Sequence, residues 1–311
     1  MNTRAALCIL LYFIFLRPGF AQNDSLEQLY ESFIRDTLKR APKEYTTATF
    51  KTTRNINLQT VETLGKRSLD YRISHRFGDI SSGANNAWGI DGPANLFMSL
   101  EYSYDGRLMF GLGRSSLDKL AEGFAKYRLV RQTTDGSIPL SVTLFSSVNY
   151  TALIDPGKST GIDKYTYFWD RFSYAHQVLI GRKFSKRLSL EIAPTLVHYN
   201  LVESARDRND MYALGFAGRY KITSRMSVSA EYVLRLNKYS DNFSEFYDAA
   251  GVGIDIETGG HVFQIQITNA LGIDEVQFVP YTSTSWAKGG IRIGFNLSRV
   301  FTLGRPKETS P

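Results

Sequence analysis

The chain has 311 residues, a formal net charge of +7 and 43% hydrophobic residues, with 22% charged and 13% aromatic. So few charges and so many aromatics exclude a disordered chain, and the single cysteine, Cys8, excludes an intramolecular disulfide. A mean hydropathy of −0.22 taken alone describes a water-soluble protein; the patterning along the chain reverses that impression.

Residues 1–22 read as an export signal. Arg4 supplies the positive start, Ala5 to Leu16 is an uninterrupted apolar run, and Arg17-Pro18-Gly19 breaks it before a cleavage point near Gln22. The run is too short to span a bilayer as a helix. Cys8 lies inside it, so it is not a lipoprotein cysteine and the mature chain has no thiol. Removing Arg4 and Arg17 leaves 35 basic against 30 acidic residues. No basic cluster with interleaved aromatics marks a nucleic-acid partner.

Residues 23–66 form an N-terminal extension. Leu26, Leu29, Phe33 and Leu38 fall on one helical stripe over about 24–40, Asp24 is the N-cap and Pro42 lies beyond the end. Two placements stay open: a periplasmic helix packed on one end of the main domain, or a plug within it.

From Ser68 the period is two. Leu69, Tyr71, Ile73, His75 and Phe77 share one face; Ser68, Asp70, Arg72, Ser74 and Arg76 share the other. The same alternation returns at Leu96–Tyr104, Leu140–Tyr150, Leu188–Leu196, Met226–Leu236 and Ile291–Leu297, with noisier segments around Tyr127. The reading is an all-β, up-and-down antiparallel transmembrane β-barrel of about twelve strands over 67–301, followed by a C-terminal tail at 302–311. Many strands approach the ~9–11 residues a tilted membrane strand needs, and no helical period interrupts them, which excludes a βαβ fold.

Short links (Asp105-Gly106, 133–138, 185–186, 223–225, 258–260) alternate with long ones (78–93, 154–171, 201–209, 237–247, 271–287), with a shorter exception near Ser116. Turns on one side and loops on the other describe an outer-membrane barrel. An even strand number places both termini on the periplasmic, turn side. Arg toward lipid at the midplane would cost about 2–4 kcal/mol, so the Leu/Ile/Tyr face looks outward.

The segments Ala48-Thr49-Phe50-Lys51, Ile73 to Gly78, Ser173 to Gln177, Arg182-Lys183-Phe184, Asp255 to Gln264 and Gly294 to Phe301 together resemble a domain-of-unknown-function family of bacterial outer-membrane β-barrels. The resemblance covers most of the chain after Tyr45 and implies fold and outer-membrane location, with no activity to carry over. The closing aromatic, Phe301, resembles the signal read by the barrel assembly machinery, which with outer-membrane lipid is an expected partner; a periplasmic protein partner is a further candidate.

Parity assigns Asp70, Arg72, Arg76, Glu101, Lys183, Glu191, Glu231, Arg235, Asp255, Glu257 and Arg292 to the lumen. Their mixed signs describe either a ladder of salt bridges filling a narrow barrel or a polar path for a small solute. A lumen of this width is expected to be mostly occluded, and Arg72, Arg76 and Arg292 to form a basic strip at the seam met by carboxylates from opposite strands or by an anion. His75, Phe77, Tyr102, Tyr104, Tyr150, His176 and His198 are expected at the membrane interfaces. No catalytic residue, metal ligand or cofactor is assigned. The residues two after each His are Phe77, Val178, Asn200 and Phe263, so the same-strand His-x-Ser of a lipid-facing hydrolase is absent. Asp255 and Glu257 share a face that His261 does not, which argues against a metal site there. Gly111 and Gly113 read as strand glycines. The leading functional reading is a narrow, largely occluded channel or transport component for a small solute. The alternatives are a structural or accessory barrel serving a partner and, behind it, a lipid-facing hydrolase.

Overall fold

A period of two sends successive side chains to opposite faces, so a sheet of such strands has one apolar and one polar face. In the computed structural model that sheet closes into a barrel of twelve antiparallel strands, each paired with its neighbours in sequence and β1 with β12. The structure describes residues 28, 30–32, 43–155, 164–202, 204, 207–237 and 246–303. The export signal at 1–22, nearly all of the helix expected at 24–40, and the tail beyond Leu303 lie outside the described residues. The chain divides into two units, Met1–Lys43 and Glu44–Pro311. The first contributes described helical residues only at Gln28, Tyr30, Glu31 and Ser32.

In the second unit the strands are β1 (Ser68–Asp79), β2 (Asn95–Ser103), β3 (Leu108–Ser115), β4 (Leu120–Val130), β5 (Ser141–Thr151) and β6 (Phe172–Lys183). They continue as β7 (Leu188–Tyr199), β8 (Asp210–Lys221), β9 (Met226–Arg235), β10 (Ala249–Thr258), β11 (His261–Thr268) and β12 (Arg292–Thr302). Closure pairs Leu69 with Phe301 and Arg72 with Ser298. It removes the open edges that an exposed sheet would offer to other chains.

The links sort as expected. The chain enters β1 and leaves β12 at a turn end whose connections are short except for residues 131–140 between β4 and β5; the long ones gather at the opposite, loop end, where the β3–β4 link at 116–119 is the short exception. At the β2–β3 turn the Asp105 carboxylate accepts from the backbone N–H groups of Leu108 and Arg107 at 2.7 and 2.8 Å, and Gly106 takes φ +88°, a value that favours glycine. Those two N–H groups hold the Asp105 carboxyl below its ordinary range.

The outside is apolar: Leu112, Ile254, Ile265 and Phe295 are all exposed there. Among the described residues no helix is long and apolar enough to cross a membrane; here the strands carry the apolar surface. One helix, α1 (Glu275–Tyr281), lies in the β11–β12 connection, with Glu275 to Pro280 buried. Asp274 caps it by accepting from the Val276 N–H at 3.0 Å. Pro280 has no N–H for the Val276 carbonyl one turn back, and the Tyr199 hydroxyl donates to that carbonyl instead.

Candidate functional site

The lumen is occupied by the chain itself. From the turn end, residues 46–66 run into the barrel, reverse at 55–58 and return to β1. The reversal is held by Asn55 N–H donating to the Leu58 carbonyl at 2.7 Å and Thr60 N–H to the Thr53 carbonyl at 2.9 Å. Residues 49–61 of this plug are almost all buried. At its tip the Glu231 carboxylate, projecting from β9, accepts from three successive backbone N–H groups, Ile56 at 3.0, Asn57 at 2.9 and Leu58 at 3.1 Å. Arg76 donates to the Ile56 carbonyl at 3.1 Å and the Asn57 side chain at 2.8 Å. Lower down, Glu191 accepts from Val61 N–H at 2.7 Å and the Thr143 hydroxyl donates to the Val61 carbonyl at 2.8 Å. The turn of the plug has spare N–H and C=O groups, and the wall supplies their partners.

The wall is also notched for it. A Cβ on Gly215 would lie 3.0 Å from the Leu58 methyls, one on Gly181 2.9 Å from those of Val61, and one on Gly251 3.1 Å from Ile56 Cδ1. Three glycines on inward positions thus receive the three apolar side chains that the plug pushes at the wall.

The expected lumen residues divide by depth. Asp70, Arg72, Arg76, Glu101, Glu191, Glu231, Asp255 and Arg292 are buried inside. Lys183, Glu257 and Arg235 sit half-buried at the mouths. Lys183 donates to the Thr47 carbonyl at 2.7 Å, Glu257 pairs with Lys51, and Arg235 Nε lies 3.2 Å from Asp248. The salt-bridge ladder is only partial. Arg72 meets Asp70 at 3.4 Å and Glu101 at 3.8 Å, and Asp255 has Arg219 at 4.0 Å beside the Ser227 hydroxyl and the Gln264 amide at 3.0 Å each, but Glu191 and Glu231 accept from backbone N–H groups. The seam is likewise corrected: the carboxylates at Arg72 come from its own strand and adjacent β2, not from opposite strands. Arg76 meets Asn296 at 3.0 Å and the plug, because the plug stands between the seam and the far wall.

Several functional side chains were missed by parity. On β4 the inward residues are Leu120, Glu122, Phe124, Lys126 and Arg128, so apolar and charged groups mix on one face and the alternation is blurred. Lys126 donates to the Thr53 carbonyl at 2.9 Å and Gln59 at 3.2 Å. The inward positions of β6 to β9 include Ala175, Leu179, Ala193, Val197, Met211 and Val233, which form an apolar cluster with the plug's Leu58 and Val61 and with Val276, Phe278 and Val279 of the α1 segment. The lumen is therefore part apolar. The one available signal was the apolar run Phe278-Val279-Pro280 inside a segment otherwise read as a loop.

Plug, wall and α1 segment meet at Arg54. Its guanidinium lies 3.2 Å from Glu122 of β4 and 3.3 Å from Glu275 of α1, with Phe97 5.3 Å away beneath it. One carboxylate oxygen from each of Glu122, Asp274 and Glu275 lies within 4.8 Å of the others. Above this junction, at the loop end, a vestibule of about 440 Å³ is lined by residues that include Tyr165, Arg171, Phe172, Tyr199, Gln277 and Tyr281.

The interface candidates all face outward. His75 packs on Phe77 and Phe295 at 4.4 and 5.6 Å between ring centroids, near the loop end of β1. Tyr150 packs on Phe172 at 5.3 Å. Tyr102 and Tyr104 lie at the turn end. His198 holds Asp210 at 2.7 Å. His176 differs: its Nδ1 lies 2.9 Å from Ser146 Oγ on the neighbouring strand, a cross-strand pair that a same-strand search passes over. On the outer sides of this pair, Ala125 lies in register with Ser146 and Leu196 with His176.

A family model described as membrane bound beta barrel domain (DUF5777) matches residues 50–301. Among solved structures the chain is similar to a KdgM porin, at 9% identity and a TM-score of 0.44, over 76% of this chain and 99% of that one. It is also similar to the COG4313 outer membrane channel from Pseudomonas putida F1, at 14% identity and a TM-score of 0.44, over 78% and 98%. A third likeness is to outer membrane phospholipase A from Escherichia coli, at 12% identity and a TM-score of 0.40, over 74% and 89%. Likenesses this distant carry no functional information. No curated protein matches the sequence.

Proposed function

This chain belongs to the DUF5777 family of membrane bound beta barrel domains, and we propose from that premise that it is a gated, normally closed outer-membrane channel for a small polar solute. The plug is its gate and the loop-end vestibule its outer mouth. The supporting observation is the way the plug is held. Beside its apolar contacts, its turn is held by hydrogen bonds to wall side chains, above all the three N–H groups on Glu231, and such bonds can be exchanged for water as the plug leaves. A purely structural barrel has no need of a polar seat and could fill its lumen with apolar side chains at lower desolvation cost. The turn end would face the periplasm, where a partner could reach the extension and draw the plug out.

Planar bilayer recording tests this reading. The intact protein should be nearly silent, and a form lacking residues 24–62 should show a stable conductance of uniform size. A barrel that stays sealed after that deletion, while still folded by heat-modifiable migration, would replace the channel with an accessory barrel.

A further inference from the structure

We propose that Glu122, Asp274 and Glu275 form a binding site for one hard divalent cation, with Ca²⁺ the best fit, at the junction of wall, plug and α1. The three carboxylates come from two places far apart in sequence, β4 and the start of α1, and are all buried. Each offers an oxygen within 4.8 Å of the other two, a spread that ligands on one Ca²⁺ at ~2.3–2.6 Å can cover. Carboxylate donors without nitrogen or sulfur select hard cations.

Two further observations point to a cation as the ligand. Asp274 Oδ2 is fully buried and has no hydrogen-bond partner among the described residues; Oδ1 alone is used, for the Val276 N–H. A buried carboxylate oxygen left without a partner is costly. Among the described residues Arg54 is the one cation paired with the cluster, and its nitrogens stand 3.2–3.4 Å from the Glu122 and Glu275 oxygens. Charge-assisted bonds close to ~2.7–2.9 Å, so one guanidinium serves these carboxylates at long range. Lys126, the next ammonium, is turned to the Thr53 carbonyl and Gln59. A divalent cation would draw the three carboxylates together and compete with Arg54 for them. Leu271, Gly272, Val276 and Gln277 line the vestibule, which places the chain on both sides of Asp274 and Glu275 at the loop-end opening.

This site does not depend on the channel reading, since it is tested by binding and not by conductance. The full-length protein in detergent, stripped with chelator, should be titrated with CaCl₂ by calorimetry and with Tb³⁺ by sensitised luminescence. One Ca²⁺ per chain should bind with Kd of about 10⁻⁴–10⁻³ M, the weak range suited to a site that must displace an internal cation. Glu122→Gln and Asp274→Asn should each weaken binding at least about tenfold, since affinity follows the charge count of the ligands. Arg54→Met removes the competitor, so it should bind Ca²⁺ more tightly than the parent chain, and Ca²⁺ should raise its melting temperature more. The Arg54→Met arm keeps the test decisive where a carboxylate variant fails to fold. No saturable binding in the parent chain, equal affinity in Glu122→Gln or Asp274→Asn, or weaker binding in Arg54→Met would each overturn the site.

Discussion

Replacing Glu231 with Ala isolates what seats the plug. The carboxylate accepts from the N–H groups of Ile56, Asn57 and Leu58, and hydrogen bonds to a charged acceptor contribute about 1.5–3 kcal/mol each. Losing all three removes about 4–9 kcal/mol from the seated plug before water is counted. The smaller side chain leaves room for water to reach those N–H groups, which returns part of the loss. A net cost of about 3 kcal/mol moves the seated-to-released ratio roughly a hundredfold. The barrel wall itself loses little, because the Ala217 and Gly251 partners of Glu231 in the sheet keep their backbone bonds. Single-channel recording should therefore show open events about a hundred times more frequent. Limited proteolysis from the turn end should cut within 44–66 while strands stay protected. Glu231→Gln, which keeps one acceptor oxygen, should fall between. If Glu231→Ala lowers barrel melting but leaves proteolysis of 44–66 and open probability unchanged, the carboxylate is a strut of the wall and not the seat of a gate.

Three other substitutions probe separate parts of the structure. Gly215→Val drives methyls into Leu58, whose own methyls would already be 3.0 Å from a Cβ, so it should loosen the plug by about 1–3 kcal/mol as overpacking does and raise conductance; a silent, fully stable variant would show the notch to be unimportant. Leu297→Arg, which points a charge outward between Ile73 and Phe263 near the middle of β12, should cost about 2–4 kcal/mol and depress folded yield, whereas Arg292→Ser should be mild; equal yields on gel-shift folding assays would reverse the assigned faces. Tyr199→Phe should destabilise by about 1–3 kcal/mol because the Val276 carbonyl loses its donor, and much less in a Pro280→Ala background, where residue 280 regains an N–H for that carbonyl. A double-mutant cycle by chemical denaturation with no coupling would refute that link.

The alternation of Leu69, Tyr71 and Ile73 against Asp70 and Arg72 is a local property of the chain, as are the turn at Asp105-Gly106 and the length of each link. Strand parity, the outward apolar band, the number of strands and the sorting of turns from loops follow from such local patterns, because each strand reports its two faces within a few residues. Nothing local says what fills a closed barrel. Arg54 and Glu275 are 221 residues apart, and Asn55 meets Ala230 across 175; the sheet must close before either contact exists. Plug residues 49–61 carry neither a period of two nor one of 3.6, since their backbone groups are satisfied by wall side chains and not by a regular ladder. Ser146 and His176 become neighbours through the register of β5 and β6 alone. The same register and closure bring Glu122, carried on a strand with blurred alternation, against two acids at the start of a short helix, so this junction belongs to the tertiary structure and not to any segment of the sequence.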